Sequence, residues 1–348
     1  MSRRPEAACP RCLGPLIAAE ESARCPACGV GYRSLLGIPD LRVAEDQFLA
    51  NDADWAHARR LAEDYHRLDF RGLLERHYDL GPPLPPDLRR RQIGHILTGP
   101  VRAAGWLDAV DLRPDAPILD LGCGAGSLLA AVAGRGLPAL GVDIAMRWLV
   151  LARKRLDELG YAGYPLVCGC AERLPAGSSA FGGVFGGDVI EHVADIGETL
   201  AEAHRVLRPG GVLFLATPNR FSLAPEPHVG VWGVGYLPRP LMGPYVAWRR
   251  KLDFRAIHTL GFGGWRRKLA DSPFLGGGIL TPGLTAIELA GMSPGKRRLG
   301  QLYNALIRSP PGRVASRRVG PLFHMVCRRP EDSDRAPRPG STPGSGGS

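Results

Sequence analysis

The stretch Ile118-Leu119-Asp120-Leu121-Gly122-Cys123-Gly124-Ala125-Gly126 constrains this chain more than any other. A short apolar strand runs into glycines at alternate positions, and a helical pattern starts at Ser127–Ala133. Without Cβ atoms the turn lets backbone approach a ligand closely, and the helix N-terminus presents free N–H groups. Asp143 ends the next strand, Pro138–Asp143, seventeen residues beyond Gly126. An acidic side chain there can accept hydrogen bonds from both hydroxyls of a ribose.

The alternation continues downstream. Ala145–Leu159 reads as a helix, and Leu166–Cys168 and Gly183–Val189 as strands. Ile196–Leu207 is a helix stopped by Arg208-Pro209-Gly210-Gly211, and Val212–Thr217 is a fifth strand. This order predicts an α/β fold, a parallel Rossmann-like sheet with helices on both faces. Upstream, 44–110 is expected to be a helical lid or connector, with helices at Ala56–Leu74 (broken near Gly72) and Leu88–Leu97. Downstream the pattern loosens. An irregular Pro/Gly-rich stretch covers 218–246, and a helix is expected at Gly264–Ala270. A strand at Leu284–Leu289, a helix at Lys296–Ile307 and a last strand at Leu322–Arg328 follow. The domain at 111–330 thus carries an insertion at 218–260, and 331–348 reads as a disordered tail.

The dinucleotide fingerprint GxGxxG is not met, because Ser127 stands where its third glycine belongs. Asp120-Leu121-Gly122-Cys123-Gly124-Ala125-Gly126 instead resembles motif I of class I S-adenosylmethionine (SAM) methyltransferases. The resemblance is to the methyltransferase type 11 group, on the branch that includes the ubiquinone-biosynthesis O-methyltransferases. Cys170-Ala171-Glu172-Arg173-Leu174-Pro175, Asp188-Val189-Ile190-Glu191-His192-Val193 and His204-Arg205-Val206-Leu207-Arg208-Pro209-Gly210-Gly211 support it. The resemblance implies SAM as cofactor. Gly122, Gly124 and Gly126 would wrap its amino-acid part, Asp120 would order the loop, and Asp143 would hold the ribose. Cys123 is a small residue within the turn, and Ile144 and Asp188 join the same set. Many relatives carry Asp, an acceptor for the adenine amino group, where this chain has Cys170, a weak acceptor. That leaves the backbone of Ala171 and the carboxylate of Glu172 as the adenine contacts.

Residues 1–43 form a separate unit. Cys9-Pro-Arg-Cys12 and Cys25-Pro-Ala-Cys28 are two knuckles that can aim four thiolates at one zinc ion. So short a segment buries little apolar area, and metal binding would drive its folding. With the closing Tyr32…Gly37-Ile38-Pro39-Asp40-Leu41, the segment resembles the Trm112-like zinc ribbon, which accompanies or activates methyltransferases. That implies a docking or folding role, with a protein partner through the ribbon as one expectation.

Methyl transfer from a sulfonium needs in-line alignment and, for a hydroxyl acceptor, removal of a proton. His192, with Glu191 beside it, follows strand four and is the first candidate base; the alternative is a His that only positions the acceptor. Some members of the resembling family hold a divalent metal with Glu and His of this loop, and Glu191, His192 and Asp195 could do so. After strand five, Pro225-Glu226-Pro227-His228-Val229-Gly230-Val231-Trp232 supplies His228 as a second base, with Trp232 as part of an acceptor wall; the alternative is a loop packed on the surface by its own aromatics.

Charge separates two halves. Residues 1–222 hold 25 Lys/Arg and 27 Asp/Glu, whereas 223–330 hold 17 and 4. The basic half suggests an anionic surface as partner; the alternative is a solvated arginine-rich face. No stretch reads as a signal peptide or a membrane span, so a cytoplasmic protein is expected. Trp248-Arg249-Arg250-Lys251 would make a peripheral contact at the inner membrane face. The leading expectation is O-methylation of a small or lipid-linked metabolite such as a quinol, polyketide or sugar. Two others stand beside it: an RNA methyltransferase using the ribbon and the basic half, and a non-catalytic scaffold with this fold.

Overall fold

A computed structural model describes residues 5–113 and 116–331; the tail expected over 331–348 lies almost wholly outside the described residues. The N-terminal unit is a small antiparallel sheet of β1 (Ile17–Ala18), β2 (Ser22–Arg24), β3 (Gly31–Leu35) and β4 (Ile38–Pro39), in that order. It docks on the rest of the chain through main-chain bonds. Ala8 N donates to Pro175 O (2.8 Å), Leu41 N donates to Cys168 O (2.7 Å), and Asp40 bridges Cys168 in parallel.

Four helices follow: α1 (Asn51–Asp64), α2 (Phe70–Leu80), α3 (Pro86–Leu97) and α4 (Gly99–Asp108). The break expected near Gly72 falls instead at 65–69. Asp69 caps α2 by accepting from Gly72 N (2.7 Å), so Gly72 sits inside the first turn it helps to start.

The large sheet then builds by crossovers: β5 (Ile118–Leu121), α5 (Ser127–Ala133), β6 (Ala139–Asp143), α6 (Met146–Glu158), β7 (Leu166–Cys168), β8 (Phe181–Gly187), α7 (Ile196–Val206) and β9 (Leu207–Pro218). Next come α8 (Arg239–Arg250), α9 (Phe262–Ala270), β10 (Leu275–Leu280), α10 (Ala286–Ala290), α11 (Pro294–Leu306), α12 (Pro310–Val319) and β11 (Leu322–Arg328). The strand order is β10-β11-β9-β8-β5-β6-β7, with β5 to β9 parallel and β10 and β11 antiparallel. This is a Rossmann-like sheet, and the ribbon's chain pairs at its β7 edge, which would otherwise leave N–H and C=O groups open.

β5 is buried along its whole length, with Ile118, Leu119 and Leu121 between the two helical layers. β8 reads Phe-Gly-Gly-Val-Phe-Gly-Gly, and its glycines are there for close approach. A Cβ on Gly187 would run into the Trp106 ring of α4, and one on Gly182 into Ala116.

The strand expected at Leu284–Leu289 is a helix instead. Thr285 and Glu288 form a capping box that starts α10, while the edge strand is the Leu275-Gly-Gly-Gly-Ile-Leu segment whose glycines hid its pattern. Part of the stretch expected to be irregular is helical, since Pro240 in the first turn of α8 needs no N–H donor there.

Candidate functional site

Where β5 and β6 end, the chain builds a cradle. Gly122, Gly124 and Gly126 take φ of 67°, 49° and 73°, a left-handed region that side chains other than glycine rarely adopt. Asp143, the last residue of β6, lies across this turn. Its Oδ2 accepts from Gly124 N (2.8 Å) and its Oδ1 from Ala145 N (2.8 Å), which leaves further acceptor capacity on both oxygens. Burial raises the Asp143 carboxyl to about 6, against the pull of those two N–H groups. Behind it Asp120 is buried and its Oδ2 has no hydrogen-bond partner among the described residues; burial, then the Asp143 charge, raises it to about 8.

This cradle opens into a cavity of about 1470 Å³, above the ordinary range for one small ligand and enough for a cofactor and an acceptor together. Asp120, Gly122, Cys123, Gly124, Asp143, Ile144, Ala171, Glu172, Asp188, His192 and His228 all line it. Gly126 and Glu191 do not. Gly126 starts α5 and packs on α6, where a Cβ would come within 3.2 Å of Ala152. Glu191 sits fully buried behind the two histidines.

The far side of the cavity gathers ionisable groups from two loops. Glu191 Oε2 accepts from Thr217 Oγ1 (2.8 Å), and its Oε1 lies 3.6 Å from His228 Nε2 and 4.0 Å from His192 Nε2. His228 Nδ1 is 2.6 Å from Glu226 Oε1, so this imidazole stands between two carboxylates. Burial opposes its charge, but the nearby carboxylates of Glu191 and Glu226 win and lift it to about 10. The His192 ring meets the His228 ring edge-on at 4.7 Å, and burial lowers His192 from its ordinary value. One imidazole is thus held charged and its neighbour neutral.

Asp195 stands outside this group, because its Oδ1 caps α7 through Gly197 N (2.6 Å) and Glu198 N (3.0 Å). The third place beside Glu191 and His192 is taken by His228, with all three ligand atoms within 4.8 Å of one another. Glu172 is also engaged, accepting from Ala194 N (2.7 Å) and so bracing the loop after His192. Trp232 does not line the cavity. It is 61% exposed and donates its indole N–H to Leu223 O (3.0 Å), on the outside of the insertion.

The structure adds lining residues that sequence reading passed over. Arg102 of α4 reaches the cavity between Thr98 Oγ1 (3.0 Å) and His95 O (2.9 Å), and among the described residues it has no carboxylate partner. His57 Nε2 and His77 Nδ1 are buried in the same wall without a hydrogen-bond partner among the described residues. Their helices showed only a polar–apolar pattern, which gave no reason to single out any one polar residue.

The four ribbon thiols form a second cluster. Cys9 and Cys28 Sγ are 3.6 Å apart, Cys12 and Cys25 Sγ are 3.5 Å apart, and all four lie within 4.8 Å of one another. No helix among the described residues is long and apolar enough to cross a membrane.

Residues 119–215 match the methyltransferase domain family. A protein of transposon Tn4556 from Streptomyces fradiae, described as an uncharacterized 37.1 kDa protein, is 38% identical over 120 residues, covering 34% of each chain. A ubiquinone biosynthesis O-methyltransferase from Azorhizobium caulinodans is 38% identical over 123 residues, covering 34% of this chain and 48% of its own. The chain thus spans between a third and a half of the length of these relatives. Among solved structures, phosphoethanolamine N-methyltransferase 2 of Haemonchus contortus, in complex with S-adenosyl-L-methionine, aligns with a TM-score of 0.46. It is 16% identical, and the alignment covers 76% of this chain and 60% of that one.

Proposed function

We propose that this chain, through the methyltransferase domain at residues 119–215, moves a methyl group from SAM to a hydroxyl oxygen of a small or lipid-linked acceptor such as a quinol, polyketide or sugar. The observation that carries the reading is the Asp143 carboxylate, fixed across a left-handed glycine turn at the mouth of one large cavity. Asp143 would hold the ribose hydroxyls, and Gly122 and Gly124 would let the methionyl part approach the backbone. Ile144 and Ala171 would flank the adenine. Arg102, a cation with no carboxylate partner among the described residues, suits the cofactor's carboxylate.

Bound SAM supplies an electrophilic methyl on a sulfonium, and the sulfur leaves as S-adenosylhomocysteine. The protein's own work is alignment and proton handling. As the acceptor oxygen forms its bond to the methyl carbon and the carbon–sulfur bond breaks, the hydroxyl proton passes to His192, whose neutral ring can take it. His228, held charged between Glu191 and Glu226, sets a fixed positive charge beside the acceptor and His192. Two groups whose environments push their pKa values apart are the usual mark of divided acid and base roles.

The reading is tested by transfer of labelled methyl from SAM to a panel of quinols, catechols and glycosides. Label in a product ether, lost with His192→Ala, supports it. Label appearing in RNA instead would transfer the assignment to the alternative.

For the ribbon, the Cys9, Cys12, Cys25 and Cys28 cluster suits zinc as a structural ion. Metal analysis should find about one zinc per chain, absent when Cys9 and Cys25 are both replaced by Ser. Trp248, 74% exposed and stacked under Arg249, is the element we assign to a peripheral membrane contact. Co-sedimentation with anionic vesicles should fall with Trp248→Ala.

A further inference from the structure

The ribbon and α1 are joined by residues 43–49, and this linker does not merely connect. All seven residues line the cavity that holds Gly122, Asp143, Ala171 and His192. Arg42, just before it, and Asp46, at its midpoint, tie it to the residues that follow Asp143. The Arg42 side chain, almost fully buried, bonds Asp40 Oδ2 (2.7 Å) and Asp54 Oδ2 (2.9 Å), and also donates to the main-chain O of Ile144 (3.3 Å). Asp46, buried within the linker, pairs with Arg147 (3.3 Å), which in turn pairs with Asp54 (2.6 Å). Asp54 is fully buried and also accepts from Met146 N (2.8 Å), so one ionic network ties linker, α1 and the start of α6 together.

The linker residues on either side of Asp46 are different. Val43, Ala44, Glu45, Gln47 and Phe48 are all exposed. Gln47 Nε2 donates to His192 O (3.2 Å), and the Phe48 ring, half exposed, meets the His192 ring edge-on at 5.1 Å. An aromatic left half exposed beside a cavity keeps a face free for a second partner. On the inner side, the backbone of Val43 and Ala44 approaches the Cys170 thiol, so the linker covers the position where an acidic side chain was expected to reach the adenine.

We propose that residues 43–49 are a wall of the cofactor site: a strap that covers the adenosyl part of the bound donor and, through Gln47 and Phe48, positions His192. The inference rests on the SAM reading above. Its first half is tied to the Asp143 loop through the Arg42–Asp54–Arg147–Asp46 network, while Gln47 and Phe48 beyond it touch the candidate base directly. Gln47 and Phe48 are positioning residues.

The test is calorimetric binding of S-adenosylhomocysteine to the full chain, with hydrogen exchange as a second readout. In the Gln47→Ala/Phe48→Ala double variant the Kd should rise about tenfold, the scale of losing one aromatic cover on a ligand. The ligand-free thermal midpoint should stay as in the unmodified chain, since both side chains are exposed. Phe48→Leu should keep most of the affinity, and amides of 43–49 in the unmodified chain should exchange more slowly when the ligand is added. An unchanged Kd in the double variant, with binding still abolished by Asp143→Ala, would overturn the strap alone. No binding by the unmodified chain would overturn the SAM reading and the strap with it.

Discussion

The two ends of the cavity are built on opposite plans. At the proposed cofactor end the central seat is mostly backbone: a glycine turn, a helix start and one carboxylate within Asp120–Ile144, fixed by two neighbouring parallel strands. At the transfer end they are side chains from separate loops, with Glu191 and His192 after β8 and Glu226 and His228 in the insertion after β9. The first plan supplies a rigid seat whose chemistry changes little between acceptors. The second places adjustable charges where the acceptor must be told apart, on loops that a scaffold can vary without disturbing its core.

That contrast can be broken in graded ways. The largest expected effect is at the transfer end. His192→Ala should lower the rate of methyl transfer by about 100-fold or more, the usual share of a positioned base, while S-adenosylhomocysteine affinity changes by less than about threefold. A loss of binding of the same size would show that the two ends are not separable. The same assay run with a chelator sharpens the point: an unchanged rate fits proton handling by Glu191, His192 and His228, whereas a loss restored by a divalent ion would make the trio a metal site.

Next in size is a pH effect at the cofactor end. The Asp143 carboxyl is raised to about 6, and the ribose hydroxyls are best held by its ionised form. Affinity should therefore be flat above neutral pH and fall as pH drops through about 6, reaching about a tenfold loss near pH 5. Calorimetry across that range checks it, and a flat profile would remove Asp143 from the ribose.

Glu226→Gln should act at the other end only. With one of its two carboxylates gone, the His228 imidazole, now at about 10, should titrate at lower pH in an NMR experiment, with cofactor affinity untouched. The smallest effect is on stability. Gly126→Ala forces a side chain into φ 73° with Ala152 of α6 at 3.2 Å, and should cost about 1–3 kcal/mol in chemical unfolding.

The same contrast explains what the sequence made legible. The sheet from β5 to β9 and the seat of Asp143 could be read because each is a local pattern: a strand, a glycine turn, a helix and an acid at fixed spacing. The CxxC pairs were legible for the same reason, and their thiols do come together. His228 could be named as a candidate, but nothing local placed it against Glu191, 37 positions earlier in the chain. Asp195 was a candidate third ligand beside Glu191 and His192, yet helix capping had the stronger claim on its carboxylate. Trp232 looked like a wall of the cavity, and its indole N–H instead holds it outside. Arg102 and the 43–49 strap were missed because their sequence is ordinary, and only the packing of α4 and the ribbon on the sheet brings them to the cavity.

The central claim is that this cavity seats SAM through Asp143. Isothermal titration of S-adenosylhomocysteine into the full chain, beside Asp143→Ala, tests it most directly. The account predicts saturable one-to-one binding that Asp143→Ala weakens by about 100-fold or more, as expected when two charge-assisted hydrogen bonds are lost. Binding of equal strength in both chains, or none in a folded, zinc-loaded chain, would contradict it.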